Sequence, residues 1–92
     1  MSTLSGQKTV TTAGTAVQLA ADQLVNGLVL VKALPANTGL VYVGNVDGDV
    51  SSANGMPLAA NELVIFHVGN LSTLWVDSIV NGEGVAWLSL TV

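Results

Sequence analysis

Ninety-two residues without a single cysteine allow one small domain and neither a disulfide framework nor a thiolate metal site. Net charge is −4 with two lysines and no arginine, too few cations to displace counterions from phosphates, which excludes nucleic-acid binding. Charged residues make up only 9% of the chain and hydrophobic ones 50%, whereas soluble domains carry about 25% charged residues. A folded monomer of this size exposes roughly 5,000 Å². Apolar and neutral groups must cover much of that surface, so part of it is expected to lie against a partner.

Apolar residues cluster or alternate along the chain, and Gly, Asn, Ser or Thr interrupts them at short intervals, which is a strand pattern. Residues 1–7 are expected to form a flexible N-terminal arm, and "MSTLSGQKTV" lacks the basic and apolar regions of a signal peptide. Lys8 to Thr12 is threonine-rich and β-branched; "AG" at 13 and 14 then turns the chain into Thr15 to Leu19. The best helical window, "VQLAADQLV" at 17–25, leaves room for one short turn at most.

"LVLVKAL" at 28–34 is apolar on both faces over four positions, as in a strand covered on both sides. Lys32 and Pro35 keep it far short of the ~20 apolar residues of a membrane span. The turn "PANTG" leads into a strand from Leu40 to Val43, and a loop over Asn45 to Asn54 leads to Met56 to Leu58. Glu62 to Val68 is a second strand without clean alternation. Thr73 to Ser78 alternates, with Leu74 and Val76 on one face and Trp75 and Asp77 on the other. "NGEG" at 81–84 has the composition of a hairpin turn. It feeds Val85 to Val92, where Leu88, Leu90 and Val92 share a face opposite Trp87, Ser89 and Thr91. Seven or eight short strands at spacings near ten residues predict a single all-β domain over 1–92, a small antiparallel β-sandwich of jelly-roll type or a small barrel.

No catalytic pattern is legible, and no enzyme, cofactor or metal site is expected. Asp47 and Asp49 flank Gly48 in a loop with oxygen-bearing neighbours, but Val50 and Met56 stand where a calcium loop needs its glycine and its bidentate Glu. The pair is read as a turn dipeptide. His67, the only histidine, lacks a nucleophile elbow or a second ligand and reads as a half-buried or interfacial strand residue. The ten glycines form neither a dinucleotide fingerprint nor a P-loop. Tyr42, Trp75 and Trp87 could stack on sugar rings, but outward aromatics in a charge-poor chain are also interface anchors. The interface candidates are Leu28, Leu30, Tyr42, Phe66, Trp75 and Trp87.

"NTGLVYVGN" at 37–45, "SSANGMPLAANE" at 51–62 and "NLSTLWVDSIVNGEGVAWL" at 70–88 together resemble a small β domain frequent in virion proteins of tailed bacteriophages. The upstream "TAGTAVQLA" resembles its usual start, so the likeness spans roughly residues 9–88. One departure stands at Ala60-Asn61-Glu62, where the pattern has Pro-Gly-Glu; Asn also tolerates φ > 0, so the turn is expected to persist. The resemblance implies a virion structural protein, foremost a head decoration (cement) protein that binds the major capsid protein as a homo-oligomer, with a trimer favoured. A neck, tail or fibre component is the alternative within the virion, and a carbohydrate- or receptor-binding module the alternative outside that class. Assembly in the host cytoplasm and residence in the virion follow from the same likeness.

Overall fold

The computed structural model describes residues 2–44 and 50–91, the side chains of residues 2, 3, 26, 90 and 91 excepted. The strands in chain order are β1 (Ser2–Thr9), β2 (Val17–Gln18), β3 (Leu24–Ala33), β4 (Val41–Gly44), β5 (Met56–Leu58), β6 (Leu63–Asn70), β7 (Trp75–Ser78) and β8 (Gly84–Thr91). A 3₁₀ turn, Leu71–Thr73, joins β6 to β7. Its amino end is capped by Asn70, whose side chain accepts from the Ser72 N–H at 2.9 Å and the Gln23 N–H at 3.1 Å.

Two four-stranded antiparallel sheets face each other, one ordered β1-β8-β3-β6 and the other β2-β7-β4-β5. The first strand pairs with the last, the second with the seventh, the third with the sixth and the fourth with the fifth. The chain is therefore one long antiparallel ribbon folded at its middle. Rolling the ribbon pairs β3 with β8 and β4 with β7, and this is the strand order of a jelly roll.

Two expectations need correction. Of the expected arm over residues 1–7, the described residues 2–7 are not free: β1 pairs with β8 over its whole length, from Ser2 opposite Thr91 to Thr9 opposite Gly84. The strand is built by alternation, since Leu4, Gly6 and Lys8 are partly covered while Ser5, Gln7 and Thr9 face water. "NGEG" is not a hairpin either, because β7 and β8 belong to different sheets. A two-residue hairpin turn of type I′ needs φ > 0 at both central residues, and here Gly82 has it (φ 82°) while Asn81 does not. The resulting type II geometry, closed by Glu83 N–H to the Val80 carbonyl at 3.4 Å, carries the chain across to the other sheet. By contrast, the turn over Ala59–Glu62 keeps its form with Asn61 at φ 69°.

The core lies between the sheets and is mostly valine: Val29 and Val31 from β3, Val85 from β8, Val41 and Val43 from β4 and Val76 from β7, closed by Leu19, Leu71 and Leu74. β-branched residues suit a pleated surface covered on one side. Gly84 marks the tightest approach, where a Cβ would lie 2.0 Å from the Lys8 carbonyl oxygen and 2.6 Å from Thr9 Cα. Gly84→Ala must push β1 off β8 and is expected to cost on the order of 3 kcal/mol or more. Urea unfolding of the two proteins measures it; a change within the scatter of surface substitutions would contradict the packing described.

Candidate interaction surface

The two sheets differ in what covers their outer faces. On β4, Val41 and Val43 point into the core, yet Tyr42 between them is only 8% exposed. Val50 lies against Gly44 and Gly55 on the Tyr42 side, and a Cβ on Gly55 would sit 2.7 Å from that of Tyr42. Asp77, opposite Tyr42 on β7, is also buried and accepts from the Gly14 N–H at 3.0 Å and the Ser78 N–H at 2.8 Å. The 50–55 segment and the turn at Gly14 thus cover the outer side of the β2-β7-β4-β5 sheet.

The β1-β8-β3-β6 sheet has no such cover among the described residues. Val29, Val31 and Ala33 of β3 face the core, which turns Leu28, Leu30 and Lys32 outward. The register sets Leu28 beside His67, Leu30 between Ile65 and Leu88, and Lys32 between Leu63 and Ala86. Four of these apolar side chains are substantially exposed: Leu28 at 41%, Leu63 at 51%, Ile65 at 57% and Leu88 at 39%. Leu30, Lys32, Leu63, Ala86, Trp87 and Leu88 line a shallow, almost wholly apolar depression on this sheet. Lys32 is the only charged side chain among these outward positions of β3, β6 and β8, and Ser5, Gln7 and Thr9 of β1 continue the face as a polar margin.

The candidates read from the sequence fall in different places. Leu28 and Leu30 come together on this outer face. Phe66 and Trp87 turn inward and pack against the core, and the Trp87 ring occupies the space where Gly6, its cross-strand partner, lacks a side chain. The alternation along β8 therefore runs opposite to an outward Trp87: Val85 and Ser89 are buried and Leu88 is the exposed residue. Tyr42 is buried within the chain, and Trp75 stays half-buried on the outer side of β7. Leu63, Ile65 and Leu88 were missed, although the alternation Leu63, Ile65, His67 was the signal that could have found them. His67 is exposed on the same face. Asp47 and Asp49 lie outside the described residues, and no three His, Asp or Glu side chains among the described ones gather closely enough to hold a metal ion.

At the Lys32–Ala86 end, two connections cross between the sheets side by side and are clamped together. The Glu83 carboxylate accepts from the Thr38 N–H at 2.7 Å, the Thr38 hydroxyl at 2.9 Å and the Gly39 N–H at 3.0 Å. The Asn37 amide donates to the Gly84 carbonyl at 2.8 Å, and that carbonyl also accepts from the Leu34 N–H at 3.1 Å. Donors aimed at the charged form hold the Glu83 carboxyl below its ordinary value, first the Gly39 N–H and then the Thr38 N–H. Comparison with protein-family models, curated proteins and solved structures finds no match to this chain.

A carboxylate whose folded pKa is depressed stabilises the fold above its unfolded value and loses that contribution as pH falls through the folded one. Thermal unfolding measured from about pH 6 to about pH 3 should therefore show a stability loss beginning near 4.5, the ordinary Glu value. Glu83→Gln should unfold at lower temperature near neutrality and show a flatter profile over that window. An unchanged profile would mean that Glu83 does not hold the two connections.

Proposed function

We propose that this chain is a non-enzymatic structural subunit of a tailed-bacteriophage virion, of the capsid-decoration type. It lays the outer face of the β1-β8-β3-β6 sheet against a larger protein shell. The observation that carries the assembly role is the contrast between the sheets: the chain's own segments bury one outer face, while the other displays Leu28, Leu30, Leu63, Ile65 and Leu88. Contiguous apolar surface rimmed by polar residues marks interaction sites. The virion assignment rests on the turn-and-strand likeness, whose "NTG" turn forms one half of the Asn37–Glu83 clamp.

The three apolar strands, about 4.8 Å apart and eight residues long, give a face of about 380 Å². At ~25 cal/mol per Å² the gross gain is about 9 kcal/mol, and association costs of about 4–15 kcal/mol offset most of it. One contact is thus marginal. Repetition over a shell built of many identical positions makes it count, which is the physical logic of a decoration protein.

A carbohydrate- or receptor-binding role has one observation in its favour, the half-exposed Trp75 on the outer side of the other sheet, beside Gln18. A glycan array with Trp75→Ala as control separates it, because the assembly role does not use Trp75. For the leading reading, purified phage particles are probed for this chain. It should be present at a copy number matching the major capsid subunit rather than a tail ring. The double substitution Leu28→Lys with Leu88→Lys should weaken particle association at least tenfold, or about 1.4 kcal/mol. Absence of the chain from purified particles would overturn the virion assignment.

A further inference from the structure

Each sheet ends in two edge strands, and three of the four edges are guarded. β2 is two residues long. β5 is three residues long and has Pro57 at its centre, which withholds an N–H from any added strand. β1 is polar along its exposed side, with Ser5, Gln7 and Thr9, and carries Lys8. The fourth edge, β6, has none of these devices. Its eight residues, "LVIFHVGN", hold no proline, lysine or acidic residue, and its register with β3 is unbroken from Leu63 to Val68. Proteins ordinarily blunt such an edge, because its unpaired backbone groups are a template for another strand.

The direction of those groups follows from the ladder. The Ala33 N–H donates to the Glu62 carbonyl at 2.9 Å. Antiparallel alternation then makes Val31–Val64, Val29–Phe66 and Gly27–Val68 the pairs that exchange hydrogen bonds. The N–H and C=O groups of Leu63, Ile65 and His67 therefore point away from β3, toward the open edge.

We infer that β6 is the site at which a second copy of this chain adds, edge to edge and antiparallel, through a two-fold axis at Ile65. In that register Ile65 meets Ile65 of the second copy, and Leu63 meets its His67, on the outer face. On the inner face Val64 meets Phe66. Only outward-pointing backbone groups are used, giving about six inter-chain hydrogen bonds, and no like charges are opposed. A second copy is the occupant that the edges favour. Two-fold pairing consumes both bare edges and leaves the guarded β1 edges at the ends of an eight-stranded sheet. Head-to-tail pairing of β6 with β1 would instead leave a bare β6 at one end, open to further growth. The pairing also joins the two apolar faces into one about 29 Å wide, with a polar β1 at each margin. The inference stands on the edges alone and does not need the virion assignment; its two-fold departs from the trimer that the resemblance implies.

Sedimentation velocity tests it, with Ile65→Pro and Ile65→Lys as the variants. Because the Ile65 N–H points away from β3, proline there removes an edge donor without touching the β3–β6 ladder. The natural chain should sediment as a dimer of the 9.3 kDa subunit, and both variants as monomers with unchanged far-UV circular dichroism. Leu88→Lys, on the outer face but two strands from the edge, should stay dimeric. Amide exchange on the natural protein gives a reading that needs no variant: the Leu63, Ile65 and His67 N–H groups should be protected at least tenfold more at high than at low protein concentration. A monomer, a trimer, a dimer indifferent to both Ile65 substitutions, or exchange at these amides independent of concentration would overturn the proposal.

Discussion

The fold hangs on a clamp between two backbone crossings. A ribbon rolled into two sheets passes repeatedly from one to the other, and the 34–40 and 79–83 connections are two of these crossings, tied side by side. Glu83 and Asn37 tie these two segments together with side-chain bonds to facing backbone groups. The arrangement satisfies N–H groups that a turn would otherwise leave to water, and it does so with a charged acceptor, the stronger kind. Gly84 lets β1 press against the same place, because no side chain could fit there. In a core built mainly from valines, where no single contact is large, fixing both crossings at one point sets the register of β3, β8 and β4 together.

Once the register is set, the distribution of apolar side chains has a consequence for assembly. The outer side of the β2-β7-β4-β5 sheet is closed by the chain itself, with Tyr42 and Asp77 buried beneath the 50–55 segment and the turn at Gly14. The outer side of the β1-β8-β3-β6 sheet is as apolar along β3 and β6 and has no such covering among the described residues. A bare face and a bare β6 edge adjoin each other, so both point to contacts made by the same side of the molecule. The folded chain exposes 4816 Å², close to the ~5,000 Å² expected from its size.

Much of this architecture was readable from residue order. Turn chemistry at "PANTG", at "AG" and at Asn61 placed the strand boundaries within a few residues, because glycine, proline and asparagine act locally. The doubly apolar stretch at 28–34 is a strand, with Val29, Val31 and Ala33 in the core and Leu28 and Leu30 on the outer face. Three features were not readable, each for a physical reason. β1 is polar and holds Gly6, a weak strand residue, and it becomes a strand only because β8 offers a ladder and Trp87 fills the space over the glycine. The "NGEG" turn has hairpin composition, but only the partners of β7 and β8 decide that it joins sheets. Alternation along β8 separates Leu88 from Trp87 and Ser89 without saying which set meets the core, so its facing is not legible in the residues. Of the candidate surface, Leu28 and Leu30 were legible, whereas Leu63, Ile65 and Leu88 emerged only from the register.

The account stands on one claim, that the outer face of the β1-β8-β3-β6 sheet is covered in the assembled protein. Hydroxyl-radical footprinting of the chain in purified particles, set against the free protein in solution, tests it most directly. Ile79, 54% exposed and directly after β7 of the other sheet, serves as the internal standard. The account predicts that labelling of Leu28, Leu63, Ile65 and Leu88 falls several-fold on assembly while Ile79 is unchanged. Equal labelling of these four side chains in both states would contradict it.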